Sequence, residues 1–191
     1  MLWIGLLLLG LGFAGATLTL AKITKEVLSP IPPTEKTKRL LAALKVQFGK
    51  NYTYVQQILP YVQAASRKYN VPPELILAFM AQESRGNPRA VSSVGAVGLM
   101  QVMPRIAKRL CGYSQEDLFD PVKNIDCGTR LIAYLMRRVE TITDVIASYY
   151  AGEKAYRYRK KYGTYPSYGR PPVYQYVSEV YERYKFLKGA A

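Results

Sequence analysis

The residues that most constrain this chain are Leu75 to Ala81, seven apolar side chains in succession. Val71-Pro72-Pro73-Glu74 opens them as a helix start, since proline is tolerated in a first turn and an acid there suits the helix dipole. A helix that is apolar on every side has no face to turn to water, so the rest of the chain has to enclose it. Gly86 and Asn87-Pro88 then stop it, which predicts a buried helix over 73–85. Glu83 stands four residues after Phe79 and seven after Ile76, so all three share one face. A carboxyl group on that face is desolvated, and desolvation favours its neutral form. The alternative is a structural acid, at the surface near the helix end or paired with Arg85 or Arg89.

Composition narrows the chemistry. The chain has no histidine, which excludes Ser-His-Asp and Cys-His nucleophilic chemistry and histidine-ligated zinc hydrolysis. Proton transfer at neutral pH then falls to a carboxyl group with a raised pKa. Glu83 is followed by Gly95-Ala96-Val97-Gly98-Leu99-Met100-Gln101. Gly95 and Gly98 can adopt backbone angles denied to other residues, so this turn can bring main chain close to a ligand. One acid, a glycine-rich turn and an amide make a candidate single-acid catalytic site.

Glu83-Ser84, Asn87-Pro88, Ala90-Val91-Ser92, Gly95-Ala96, Gly98-Leu99-Met100-Gln101 and Met103-Pro104 together resemble the signature of the soluble-lytic-transglycosylase family, in its lysozyme-like catalytic domain. The likeness continues more thinly through Leu118-Phe119-Asp120-Pro121, Asn124-Ile125, Gly128, Ala147-Ser148-Tyr149-Tyr150-Ala151-Gly152 and Tyr176-Val177, and covers about residues 52–187. It implies that Glu83 is general acid and then general base on the bond between N-acetylmuramic acid and N-acetylglucosamine in peptidoglycan. Ordinary glycosidases use two carboxyl groups; this family uses one, and the substrate's own 6-hydroxyl closes a 1,6-anhydro sugar without water. It further implies that Ser92 orients the substrate's acetamido group, that Met100 and Gln101 line the groove, and that Tyr149 lies close to the acid. For Met100 a core position is the competing expectation, and for Ser92 and Gln101 a polar turn. Two departures stand out. Tyr150 occupies the place where the family commonly has asparagine, and Ser92-Ser93 replaces a stretch where proline is common.

Elsewhere the apolar periodicity is helical, over about 52–69, 101–110, 122–138, 141–151 and 172–187. A short hairpin within 86–100 is compatible with the pattern, but no substantial sheet is. The expected fold class is all-α: a compact helical lysozyme-like domain with a substrate groove over 51–191, preceded by an N-terminal hydrophobic helix. Leu2 to Ala21 is twenty residues without a charge, long enough to span a bilayer. It reads as a signal peptide, with Ala14-Gly15-Ala16 as a cleavage site, or as a retained membrane anchor; the apolar run beyond that site leans towards the anchor. Lys22 and Lys25 on its C-terminal flank argue against export by the positive-inside rule, and the implied substrate, outside the membrane, argues for it. Residues 22 to about 50, with Pro30, Pro32 and Pro33, read as a basic stalk leading into a first helix.

The two cysteines, Cys111 and Cys127, either close the loop between them or stay as thiols with one or both buried. An exported chain favours the disulfide, which in the chain-entropy account contributes roughly 3 kcal/mol for a loop of about fifteen residues. Neither a metal nor a cofactor is expected, since two cysteines without histidine are poor zinc ligands and the substrate carries its own nucleophile. The formal charge is +14, and eleven of seventeen tyrosines fall between 149 and 184. That mixture suits sugar faces and anionic wall groups or headgroups. It also suits single-stranded nucleic acid, which the leader argues against. The expected setting is the periplasm or cell envelope, inner-membrane-anchored or secreted, with peptidoglycan strands as partner and general turnover or a secretion, conjugation or phage apparatus as the process. A hydrolytic muramidase of goose type and a non-catalytic wall- or nucleic-acid-binding module are the rival functions.

Overall fold

A computed structural model describes residues 34–191, and the leader and the first part of the expected stalk lie outside the described residues. The buried apolar residues gather around a single helix. Its central residues, Leu75 to Ala81, are all buried, most of them completely. This is α3 (Pro73–Glu83), which packs chiefly against the C-terminal helix α8 (Val173–Ala190) and against α2 (Tyr52–Tyr69). The remaining helices are α1 (Glu35–Phe48), α4 (Pro104–Cys111), α5 (Pro121–Met136), α6 (Ile142–Ala151) and α7 (Glu153–Tyr162), with short 3-10 turns at Gly49–Asn51 and Glu116–Phe119. The fold is all-α. No strand occurs among the described residues; the possible hairpin is reduced to isolated antiparallel bridges from Val97 to Val91 and to Val102.

Local chemistry explains most helix ends. Pro73, Pro104 and Pro121 sit in first turns. Asp120 caps α5 by accepting from the Val122 and Lys123 amides at 2.8 and 3.0 Å. Thr141 and Asp144 form a reciprocal capping box on α6. Helix α3 stops at Glu83, two residues short of the expected end, because Ser84 leaves helical geometry and Arg85 and Gly86 take left-handed angles (φ 52° and 78°). Helix α4 begins at Pro104 rather than 101, because Gln101 is also left-handed (φ 47°).

Two differences from the sequence reading concern whole helices. The compact unit begins at Glu35, within the stretch read as stalk, and the expected boundary at 51 falls inside it. Helix α1 inserts Ala43, Leu44 and Phe48 into the core and packs against α2 and α8. Its apolar residues recur at 40, 44 and 48, a helical stripe that the surrounding lysines and arginine obscure. Helix α7, which buries only Ala155, has almost no apolar stripe to read. Cys111 at the end of α4 and Cys127 in α5 are joined as a disulfide, tying the short helix to the longer one.

Candidate active site

Glu83 is the last residue of α3, so its side chain is carried by the most buried helix while the chain beyond it turns away. Ser84 fixes that turn. Its hydroxyl donates to the Leu99 carbonyl at 2.7 Å and accepts from the Gly86 amide at 3.1 Å. The Asn51 side chain holds the Arg85 carbonyl at 2.9 Å. The 90–102 loop is fixed from the other side by Asn124 of α5, fully buried. Its Nδ2 donates to the Val97 and Leu118 carbonyls at 2.9 and 2.8 Å, and its Oδ1 accepts from the Met100 amide at 2.8 Å. Gly98 must be glycine here: a Cβ would lie 2.2 Å from Asn124 Nδ2 and 2.4 Å from the Leu118 carbonyl oxygen.

These elements enclose a cleft of about 520 Å³ lined by Glu83, Ser92, Gln101, Tyr149 and, beyond them, Tyr150 and Arg170. Glu83 is partly open to it. Burial against apolar surroundings pushes its carboxyl pKa up to about 7, against the opposing pull of a hydrogen bond from Tyr176. The Tyr176 hydroxyl donates directly to Glu83 Oε1. Neither Arg85 nor Arg89 is within ion-pair distance of Glu83, so the alternative of an arginine-paired acid is not what the geometry holds. Among the described residues, Glu83 is the one carboxyl group lining the cleft.

Four of the five residues expected at the site meet there. The Ser92 hydroxyl oxygen accepts from the Ala96 amide at 2.9 Å, and its hydrogen has no acceptor among the described residues. Gln101 Nε2 donates to the Ala90 and Gly98 carbonyls at 3.1 and 3.0 Å, leaving Oε1 for the cleft. The Tyr149 ring packs on Phe79 with centroids 4.5 Å apart, and its hydroxyl donates to the Met100 carbonyl at 2.7 Å. Burial first, and then the neighbouring Glu83 charge, keep that phenol protonated. Met100 is the exception. Its side chain is fully buried against Gly128, where a Cβ would meet its sulfur at 2.5 Å, so only its main chain borders the site and the side chain does not line the groove as expected. Two residues assigned no role from sequence complete the cluster. Tyr176 holds the acid, and Tyr150 stacks on Tyr176 with centroids 4.2 Å apart and planes 11° from parallel. Tyr176 lay within the resembling segment, but nothing local shows that a residue 93 positions from Glu83 touches it.

Known proteins resemble this chain in sequence and in fold. The membrane-bound lytic murein transglycosylase C of Actinobacillus pleuropneumoniae is 41% identical over 123 residues, covering 60% of this chain and 34% of that protein. The transglycosylase of Enterobacteria phage PRD1 is 36% identical over 105 residues, covering 55% of this chain and 38% of that protein. The chain thus spans about a third of the length of the curated relatives it matches. Among solved structures, the 70 kDa soluble lytic transglycosylase of Escherichia coli superposes with a TM-score of 0.63 at 20% identity, covering 91% of this chain and 34% of that one. A 70 kDa soluble lytic transglycosylase in complex with bulgecin A gives a TM-score of 0.62 at 21% identity, covering 91% of this chain and 33% of that one. At these identities the structural likeness establishes the fold, lysozyme-like and helical. Residues 60–167 match the family described as the transglycosylase SLT domain, more than half of the chain, and the chain belongs to that family.

Proposed function

We propose that this chain is a peptidoglycan lytic transglycosylase with Glu83 as its single general acid and base. The observation that carries this reading is a carboxyl group pushed up to about pKa 7 by burial, with no second acid lining its cleft among the described residues. Protonated Glu83 gives its proton to the glycosidic oxygen as the bond from the N-acetylmuramic acid anomeric carbon breaks, freeing the 4-hydroxyl of N-acetylglucosamine. The muramic 6-hydroxyl oxygen then bonds to that carbon and loses its proton to the Glu83 carboxylate. Glu83 ends as it began, the product is a 1,6-anhydro sugar, and no water is consumed. An acid with a pKa near the working pH suits both halves of this cycle. The Ser92 hydroxyl donates to the substrate's acetamido carbonyl, Gln101 Oε1 receives a polar hydrogen of the sugar, and Tyr149 forms the wall beside the acid.

Peptidoglycan as substrate places the protein in the cell envelope, in keeping with relatives named membrane-bound. No described helix is long and apolar enough to cross a membrane; retention through residues 2–21 and service to a secretion, conjugation or phage apparatus remain proposals. Mass spectrometry of muropeptides released from purified peptidoglycan by the full chain, with a Glu83→Gln control, tests the reaction. Anhydro-muramic ends, absent from the control, are expected. Reducing ends, heavier by one water, would make the protein a muramidase with the same acid. Equal cleavage by the control would remove Glu83 from the chemistry.

A further inference from the structure

The segment 163–172, between α7 and α8, has no helical hydrogen bonding of its own, yet it is held at both ends. Upstream, the Tyr165 hydroxyl donates to Asp144 Oδ1 at 2.9 Å. Asp144 is fully buried. Burial would raise its pKa, but bonds from Arg159, Thr141 and Tyr165 outweigh that and hold it below the usual value. Downstream, the Tyr150 hydroxyl donates to the Pro171 carbonyl at 2.8 Å, and the Val173 amide donates back to the Tyr168 carbonyl at 3.1 Å. Gly169, at φ 98°, is shaped around the tyrosine: a Cβ would lie 3.1 Å from the Tyr150 hydroxyl oxygen and 2.8 Å from the Pro171 carbonyl oxygen. An asparagine, the commoner residue of the family at 150, is too short to span from α6 to Pro171.

The tethered segment presents Arg170 to the cleft. Arg170 is exposed and forms no ion pair with any described residue, whereas Arg138 pairs with Glu153, and Arg159 with Asp144 and Glu140. It is the one cation among the described residues lining the cleft, and Glu83 is the one other charge. A guanidinium fork matches a carboxylate with two parallel hydrogen bonds. The amino-sugar backbone of a glycan strand has no such group at most positions, but its peptide stems do.

We propose that Tyr150 pins segment 163–172 as a cleft wall and that Arg170 on this wall receives a carboxylate of the strand's peptide stems. The inference rests on the proposed function for the identity of the substrate, and it makes Tyr150 a gain of contact rather than the loss of an asparagine. Arg170 reads which strands are bound, and Glu83 cleaves them.

Binding in the non-cleaving background separates the two. The full chain carrying Glu83→Gln is titrated with soluble glycan strands bearing intact stems, and with the same strands after carbodiimide amidation of their carboxylates. Exposed ion pairs are modest, so the free-carboxylate strands are expected to bind about two- to fivefold more tightly. Adding Arg170→Gln abolishes that preference, and adding Arg170→Lys retains part of it. Because Arg170 is exposed and unpaired, thermal melting of the Arg170 variants should match the parent. Tyr150→Phe, which keeps the stack on Tyr176 and loses the bond to Pro171, should narrow the preference. An undiminished preference in the Arg170→Gln variant, or none in the parent, overturns the proposal. If the unsubstituted chain releases no anhydro products while the preference still depends on Arg170, the wall assignment stands and the reaction does not.

Discussion

Replacing Tyr176 by phenylalanine isolates the one hydrogen bond that opposes the raised pKa of Glu83. The Tyr176 hydroxyl donates to the Glu83 carboxylate and thereby favours its ionised form, while burial favours the neutral one and wins, giving a pKa of about 7. Phenylalanine keeps the ring that stacks on Tyr150 and removes only the donor. A hydrogen bond to a charged group contributes roughly 1.5–3 kcal/mol, which at about 1.36 kcal/mol per unit is one to two pKa units. Since Glu83 opens onto a solvated cleft, the lower end applies, and the carboxyl should move from about 7 to about 8. In the proposed reaction the first step needs protonated Glu83, so activity is expected to fall as pH rises through its pKa. The assay is the pH dependence of kcat/KM for strand cleavage, which reports the free enzyme's acid. The alkaline limb should shift upward by about one unit in Tyr176→Phe, with a lower plateau because the carboxyl is less firmly oriented. A limb that stays in place or moves to lower pH would refute the reasoning.

The same pKa makes a stability prediction. A carboxyl raised from 4.5 to about 7 on folding contributes stability that is fully present below the unfolded value and is lost as pH rises through the folded one. Glu83→Gln, which cannot ionise, should therefore match the parent near pH 4 and exceed it near pH 8 by up to about 3 kcal/mol; denaturant midpoints that differ equally at both pH values would count against it. Asn124→Leu strips the partner from the Met100 amide and from the Leu118 carbonyl, while the Val97 carbonyl keeps the Val102 amide at 3.1 Å. At about 1–3 kcal/mol for each of the two buried groups left unsatisfied, it should cost at least about 2 kcal/mol in urea unfolding, and a cost below about 1 kcal/mol would mean the loop is held by something else.

Sequence alone determined the features whose causes are local. Seven consecutive apolar residues dictate a buried helix, prolines and glycines mark most of its neighbours' ends, and α2 runs over the expected 52–69. Glu83, Ser92, Gln101 and Tyr149 were legible as a group because the motif that carries three of them spans a single turn and loop. Tertiary structure decided what no local pattern encodes. Met100 points into the core rather than the groove because Gly128, on another helix, leaves room for its sulfur. Helix α1 belongs to the core because α2 and α8 offer a surface that its sparse apolar stripe can fill. Tyr176 reaches Glu83 only because α8 packs along α3, and Tyr150 reaches Pro171 only because the chain doubles back after α7. Periodicity and capping act between residues a turn apart, whereas the acid's environment is set by contacts between helices distant in the chain, and those depend on how whole faces pack.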